Sequence, residues 1–386
     1  MNLQSVVGWI GSVVVAGGCG MQDDQQASAE LTQAVATSCT RESDCPVGQA
    51  CTSGVCGRCT AHSQCESDTC DRYAPTSAGL GACVAESSVV YARAAGGPGC
   101  QTGDGTRADP ACSIIRAIAF AVGDRYAIRV YPGSYFPFRV TQRTVYVFGP
   151  GDGSAIVGEE DSSVGIRVDQ SARAVIDGID VGGGVLTGAT VTDAEAQFRD
   201  ATIRGDSRGI VSTNSKLLVD RARVIGSARV GLEVDGAGSY RVTNSYFAGG
   251  FLPGVVFSGT STGCFLFNSV LGGGEDQPGG INCGTTPRAI QDSIVVGNTP
   301  AAGGAQTVGA CTHQRVVVGS ADLRGDPGLI HIDPELDGDG RLLDTAGNAA
   351  CCIDRGARFV SSLYTDFFGT PRPQGASNDI GAHELR

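Results

Sequence analysis

Between residues 165 and 298 the apolar and polar positions recur with a period of about two dozen residues. Six Asp or Asn residues mark the period, Asp177, Asp200, Asp220, Asn244, Asn268 and Asp292, at intervals of 23, 20, 24, 24 and 24. Two positions before each stands an apolar side chain: Val175, Phe198, Leu218, Val242, Leu266 and Ile290. Most copies open on Gly and a short apolar strand, as at 165–168, 209–212, 231–234, 254–257 and 280–283. A repeat of this length, made of short strands and Gly turns, predicts a β-solenoid. One coil alone cannot bury its apolar face, so neighbouring coils stack and their apolar residues form columns. Each side chain so buried contributes roughly 1.5–3 kcal/mol. Asp and Asn suit the turns because they tolerate left-handed backbone and bond their own main chain. The competing architecture with the same strand spacing is a β-sandwich.

The pleat of a strand fixes which side chains face out. If Ile166, Val168, Ile210, Leu232, Val234, Val255, Phe257 and Ile281 face the core, then Arg167, Val211, Glu233, Val256 and Asn282 face solvent. Upstream, Asp109-Pro110 leads into an amphipathic stretch, 113–122, ending at Gly123. Pro just inside the start and Gly just past the end punctuate a helix. A strand over 127–131 and a Pro132-Gly133 turn follow.

Composition narrows the class. Gly is 58 of 386 residues, about double the usual share, without a collagen period, and apolar content is 41%. That describes a turn-rich β protein. The formal charge of −12 argues against nucleic acid as a partner. Sixteen cysteines place the chain in an oxidising compartment.

The N-terminus agrees with export. Residues 6–16 form an apolar run of signal-peptide length, followed by Ala16-Gly17-Gly18-Cys19. Small residues before a Cys at this depth resemble a bacterial lipoprotein signal. That implies cleavage after residue 18, lipidation of Cys19, and attachment to the bilayer of the bacterial envelope, at the outer membrane or cell surface. Plain secretion is the alternative. Residues 19–38 then read as a polar tether.

Eight cysteines fall in the next stretch, 39–84: Cys39, Cys45, Cys51, Cys56, Cys59, Cys65, Cys70 and Cys83. Apolar residues there are too few for a core, so four disulfides are expected to hold a small module together. Cys56-Gly57-Arg58-Cys59 has the spacing of a zinc or redox pair; in an exported chain a structural role is expected. With Cys19 lipidated fifteen cysteines remain, and the odd one is expected to be a buried thiol at Cys283.

Residues 97–386 carry a more specific likeness. Gly103-Asp104-Gly105-Thr106, Asp109-Pro110, the helix, and Ile128-x-Val130-Tyr131-Pro132-Gly133-Ser134-Tyr135 look like the cap and first coil of right-handed parallel β-helix proteins of the pectate-lyase-like superfamily. The tail, with Asp339-Gly340-Arg341-Leu342 and Asp379-Ile380-Gly381-Ala382-His383-Glu384, resembles the closing segment of bacterial cell-surface β-helix proteins. The likeness implies a right-handed parallel β-helix over 97–386, plugged by the helix and closed from about residue 322. Cys100 and Cys112 lie close enough to staple the cap.

Active members of that superfamily work on the outward strip of the first sheet, with acidic residues that hold Ca²⁺ and a basic residue that removes a proton, or with paired carboxylates. The strip here is mixed, and no family catalytic motif stands on it. Arg167 and Glu233 are the nearest to catalytic candidates. Glu159-Glu160-Asp161 reads as a solvated turn. Asp333, Glu335, Asp337 and Asp344 have the spacing of a calcium loop, and a structural Ca²⁺ there competes with a plain polar turn. The aromatic clusters Tyr131, Tyr135, Phe136, Phe138 and Tyr240, Tyr246, Phe247 are expected to pack in core or cap. The expectation for function is a surface protein presenting a rigid face to polysaccharide or protein without catalysis. A polysaccharide lyase or glycoside hydrolase is the alternative, and a purely structural spacer a third.

Overall fold

The computed structural model describes residues 37–77, 79–95, 103–159, 162–182, 184–226, 228–248, 250–273, 279–298, 305–320, 322, 324–357 and 365–385. Residues 1–36, with the signal, Cys19 and most of the tether, lie outside them, as do Cys100 and Glu160-Asp161.

Three parallel sheets wrap one core as a β-helix. The first has eight strands, from Phe138–Thr141 to Thr307–Val308. The second has ten, from Val89–Ala92 to Cys311–Gln314, and the third ten, from Gly133–Tyr135 to Leu329–His331. Every coil visits them in that order. Val89–Ala92 pairs in parallel with Ala127–Val130, so the solenoid begins before residue 97. The residues assigned to the core of the first sheet are all buried, Ile166, Ile210, Leu232, Val255 and Ile281 completely so. Between them Arg167, Val211, Glu233, Val256 and Asn282 are half-buried and stack in outward register.

A Gly column makes the turn into the first sheet. A Cβ on Gly209 would stand 2.4 Å from the Gly231 carbonyl oxygen and 2.4 Å from a Val224 methyl; one on Gly188 would stand 2.7 Å from Ile203. No side chain fits where the coils approach this closely.

The turn from second to third sheet is left-handed in every coil from Gly178 on. Gly178, Asp200, Arg221, Asn244, Phe267, Asp292 and Arg315 have φ between 44° and 66°. The Asp/Asn period is therefore only partly in register. Asp200, Asn244 and Asp292 occupy the left-handed position, Asp177 and Asp220 precede it, and Asn268 follows it. The apolar column shifts with it: Ile176, Phe198, Val219, Val242, Phe265 and Ile290 stack inward. Val175, Leu218 and Leu266 lie on the opposite face. Arg221 and Phe267 hold a backbone that disfavours them through tertiary contacts: Arg221 forks onto Asp200 at 2.6 and 2.7 Å, and Phe267 is fully buried under Arg372.

Helix α1 (Ile114–Phe120) covers the first coil with Ile114, Ala117 and Ile118. Ser113 caps it, its hydroxyl accepting from the Arg116 N–H at 3.1 Å, so Pro110 lies outside the helix.

The disulfide-rich module is bonded Cys39–Cys51, Cys45–Cys56, Cys59–Cys70 and Cys65–Cys83. Cys56 and Cys59 therefore serve two different bridges. The module is also an internal duplication, Cys39-Thr-Arg-Glu-Ser-Asp-Cys45 against Cys59-Thr-Ala-His-Ser-Gln-Cys65. Asp44 and Gln64 play the same part in each copy. One side-chain oxygen accepts from the Thr N–H, the Thr hydroxyl and the next N–H, at 2.6–3.2 Å.

The module docks on the outer face of the second sheet. Arg72 reaches Asp177 at 2.6 Å and Asp200 at 2.8 Å, the Tyr73 hydroxyl donates to Asp220 at 2.6 Å, and Arg199 stacks 3.9 Å from the Tyr73 ring centre. His62 meets Phe148 edge-on and accepts from the Cys70 N–H at 3.0 Å. Burial and the nearby Arg129 and Arg72 push the His62 imidazole down to about 3.

The closing segment folds back over the third sheet. Leu342, Cys351, Cys352 and Ile380 bury Ile294 and Val317, and helix α2 (Ala346–Cys351) lies within it. The tail motif is a docking device. The Gly381 N–H donates to the Asp292 carbonyl, the Ala382 N–H donates to Ser269 at 3.1 Å, and buried Arg372 and Glu384 pair at 2.9 Å. Cys283 pairs with Cys311 and Cys351 with Cys352, while Cys264 is also disulfide-bonded. The expected lone thiol at Cys283 is thus corrected: inward positions of adjacent coils bring two cysteines within bonding reach.

Candidate binding face

With the module on the second sheet and the closing segment on the third, the first sheet is the face the described residues leave least covered. Its outward strip is half-exposed from Arg139 to Val308. Its carboxylates Asp169, Glu233 and Asp235 are each engaged from a neighbouring coil. Arg139 grips Asp169 at 2.7–2.9 Å, Arg208 lies 3.5 Å from Glu233, and Asp235 accepts from Ser258 at 2.7 Å.

A cleft of about 380 Å³ opens on this strip, lined by Arg167, Asp169, Gln170, Thr190, Thr192 and Asp193. The fold builds it from two elements. Arg167 and Thr190 are register partners on adjacent strands, as are Asp169 and Thr192, with their side chains on the outer face. Gln170 and Asp193 form the left-handed turns that end those strands, with φ of 56° and 49°. Arg167 makes no hydrogen bond or ion pair among the described residues, so its guanidinium is available to a ligand. The cleft thus offers a free cation, two hydroxyls, an amide and one unpaired carboxylate.

The sequence candidates separate in space. Arg167 lies in the cleft; Glu233 lies three coils away, engaged by Arg208. Asp333, Glu335, Asp337 and Asp344 do not converge. Asp333 accepts from the Ser320 N–H and hydroxyl, Asp337 accepts from the Asp339 and Arg341 N–H groups at 2.9 Å, and Asp344 is exposed. That stretch forms a turn of the closing segment. Among the described residues the groups close enough to share a metal are built on cysteines, all of them in disulfides. Of the aromatic clusters, Tyr135, Phe138, Tyr240, Tyr246 and Phe247 are buried as expected, while Phe136 is 55% exposed.

One constellation escaped the sequence. Thr307, His313 and Asp326 form a hydrogen-bonded line, Thr307 hydroxyl to His313 Nε2 at 2.8 Å and Nδ1 to Asp326 at 2.7 Å. The donor types match a nucleophile, base and orienting acid. Thr307 is fully buried and faces inward beneath Ile281. The line satisfies polar groups at the last coil, where Arg324 donates to the Thr307 carbonyl at 2.6 Å. Spacings of 6 and 13 residues across a sheet corner carry no sequence signal.

No family model matches the chain, and no curated protein matches it. Among solved structures the crystal structure of pectate lyase Pel9A is similar, with a TM-score of 0.42 and 12% identity, covering 78% of this chain and 97% of that one.

Proposed function

We propose that the protein is an exported, lipid-anchored protein of the bacterial cell surface whose first-sheet face binds polysaccharide without cleaving it. The observation that carries this reading is the cleft at Arg167. An uncommitted guanidinium beside Thr190, Thr192 and Gln170 suits a chain of sugar hydroxyls and acidic groups, with Arg able to bind a carboxylate bidentately. Asp169 is neutralised by Arg139 and Glu233 by Arg208, which leaves neither free to hold a cation against a substrate. The disulfides fit an oxidising exterior, and Cys19 is the residue to which a lipid would attach.

A second reading, lyase or hydrolase, draws on Arg167 standing beside Asp169 and Asp193 in one cleft. One experiment separates the two. The folded protein is applied to an array of acidic and neutral polysaccharides, and the ligands found are then assayed for unsaturated and reducing ends with and without Ca²⁺. Retention without new ends, lost at least tenfold in Arg167→Ala, is expected. New ends would establish the enzyme, and retention unchanged in Arg167→Ala would move the site elsewhere. Palmitate labelling of the full chain, abolished in Cys19→Ala, tests the anchor.

A further inference from the structure

A second cleft, of about 390 Å³, opens at the cap end of the solenoid, between the end of helix α1 and the turn Gln142-Arg143-Thr144, with Arg125 and Tyr126 in its lining. Its two arginines are positioned by neutral groups. Arg143 Nη1 donates to the Ile118 carbonyl at 2.8 Å, Arg125 Nη2 donates to the Val89 and Gly105 carbonyls at 3.3 and 2.9 Å, and among the described residues neither guanidinium pairs with a carboxylate. Asp104 is within electrostatic reach of Arg125 but accepts from the Thr106 N–H at 2.9 Å. Two unpaired cations in one cleft of a chain with formal charge −12 attract an anion. The remaining lining suits a sugar. Val122 is 61% exposed, Tyr126 is 39% exposed with its ring held edge-on by Tyr146 at 5.3 Å, and Thr144 adds an exposed hydroxyl.

This cleft adjoins the one at Arg167. Thr141 and Asp169 are register partners, so the left-handed residues that follow them, Gln142 and Gln170, are neighbours on adjacent coils. Gln142 lines the cap cleft, Gln170 lines the Arg167 cleft, and both are exposed. Arg139 is the register partner of Arg167, one coil or about 4.8 Å away. Arg143 follows Arg139 by four residues, at most about 14 Å of chain. A short oligosaccharide spans that separation.

We propose that the two clefts are subsites of one groove, in which an acidic polysaccharide runs from the first sheet over the corner to the cap. One anionic group meets Arg167 and another meets Arg143 and Arg125. The inference rests on the polysaccharide-binding reading of the Arg167 cleft and adds the path of the chain and its acidic character. The anionic group is a carboxylate or a sulfate, and Tyr126 and Val122 meet the apolar face of the sugar that bears it.

The test uses the full protein and two acidic series from disaccharide to hexasaccharide. Oligogalacturonates carry carboxylates alone, chondroitin sulfate fragments carry sulfate as well, and maltooligosaccharides are the neutral control. Calorimetric affinity is expected to rise about tenfold or more with length in at least one acidic series and not in the neutral one. In Arg143→Gln, whose amide still donates to Ile118, the hexasaccharide should bind no more tightly than the disaccharide. Val122→Glu, which adds a charge that repels the ligand at an exposed position, should do the same. Wild-type affinity in both variants at every length, with Arg167→Ala still weakened, would overturn the second subsite and leave the Arg167 reading standing. Loss in Arg143→Gln with none in Arg167→Ala would overturn the shared path, as would an equal gain in the neutral series. No affinity in either acidic series would overturn both readings.

Discussion

The contact of Arg72 with the solenoid is the sharpest point at which to test how the module is held. In Arg72→Met the Asp177 carboxyl, whose side chain is wholly buried, loses the one charged partner it has at hydrogen-bond distance among the described residues. Asp200 keeps its fork from Arg221. Burial already pushes the Asp177 carboxyl up, with Arg72 pulling against it. Stranded, the group escapes by taking a proton. At pH 7, from an ordinary value of 3.8, that costs about 4 kcal/mol, since each pH unit is worth about 1.4 kcal/mol. This is a ceiling for the Asp177 contribution, and breaking a buried pair costs about 3–5 kcal/mol in general. The expected loss is therefore about 3–4 kcal/mol at pH 7, shrinking to about 1–2 kcal/mol at pH 5 as protonation becomes easier. Urea unfolding at both pH values measures it, with hydrogen exchange at 70–76 reporting the docked strand. Adding Asp177→Asn should recover more than half of the loss. A deficit under about 0.5 kcal/mol, or one independent of pH, would refute the view that this pair holds the module.

Two further predictions follow from the same geometry. His62 keeps a folded value of about 3 while the unfolded chain titrates near 6.5, so the unfolded state takes up the proton first as pH falls. Stability from this group is full above pH 6.5 and lost between there and pH 3, at about 1.4 kcal/mol per pH unit; His62→Gln should flatten the curve by about that slope between pH 6 and 4. In the Gly column, Gly209→Ala forces a backbone shift and should cost about 2–3 kcal/mol, whereas Gly182→Ala, outside the column, meets nothing within 4 Å and should stay within about 0.5 kcal/mol of wild type. Thermal midpoints of the two side by side decide it.

The solenoid was legible in the sequence because its strongest signals, a column of inward aliphatics and a column of glycines, come from packing constraints that each coil repeats. The second-sheet register was less so. Asp and Asn favour the left-handed turn, but Arg221, Phe267 and Arg315 occupy it too, held by contacts distant in sequence, so turn residues alone misplace half the column. The cleft was half visible. The pleat put Arg167 outward, yet Thr192 and Asp193 come from the following coil, and no local pattern says which coil lies beside which. The docking of Arg72 on Asp177 joins residues 105 apart, and Thr307 meets His313 only because the chain turns a sheet corner between them.

The two ends of the chain grip successive coils of one edge. Residues 71–73 engage Asp177, Arg199, Asp200 and Asp220, while the closing segment engages Tyr246, Ser269, Phe267 and Asp292. Arg221 touches both spans, pairing with Asp200 and donating to Thr365 at 2.7 Å. An open stack of repeats can gain or lose a unit at little cost, since each contacts only its neighbours. Here a coil inserted within either gripped span, between Asp177 and Asp220 or between Tyr246 and Asp292, would carry the later anchor points of that span about 4.8 Å out of reach. Each segment acts as a ruler for the span it grips, and the number of coils within that span is a fixed dimension.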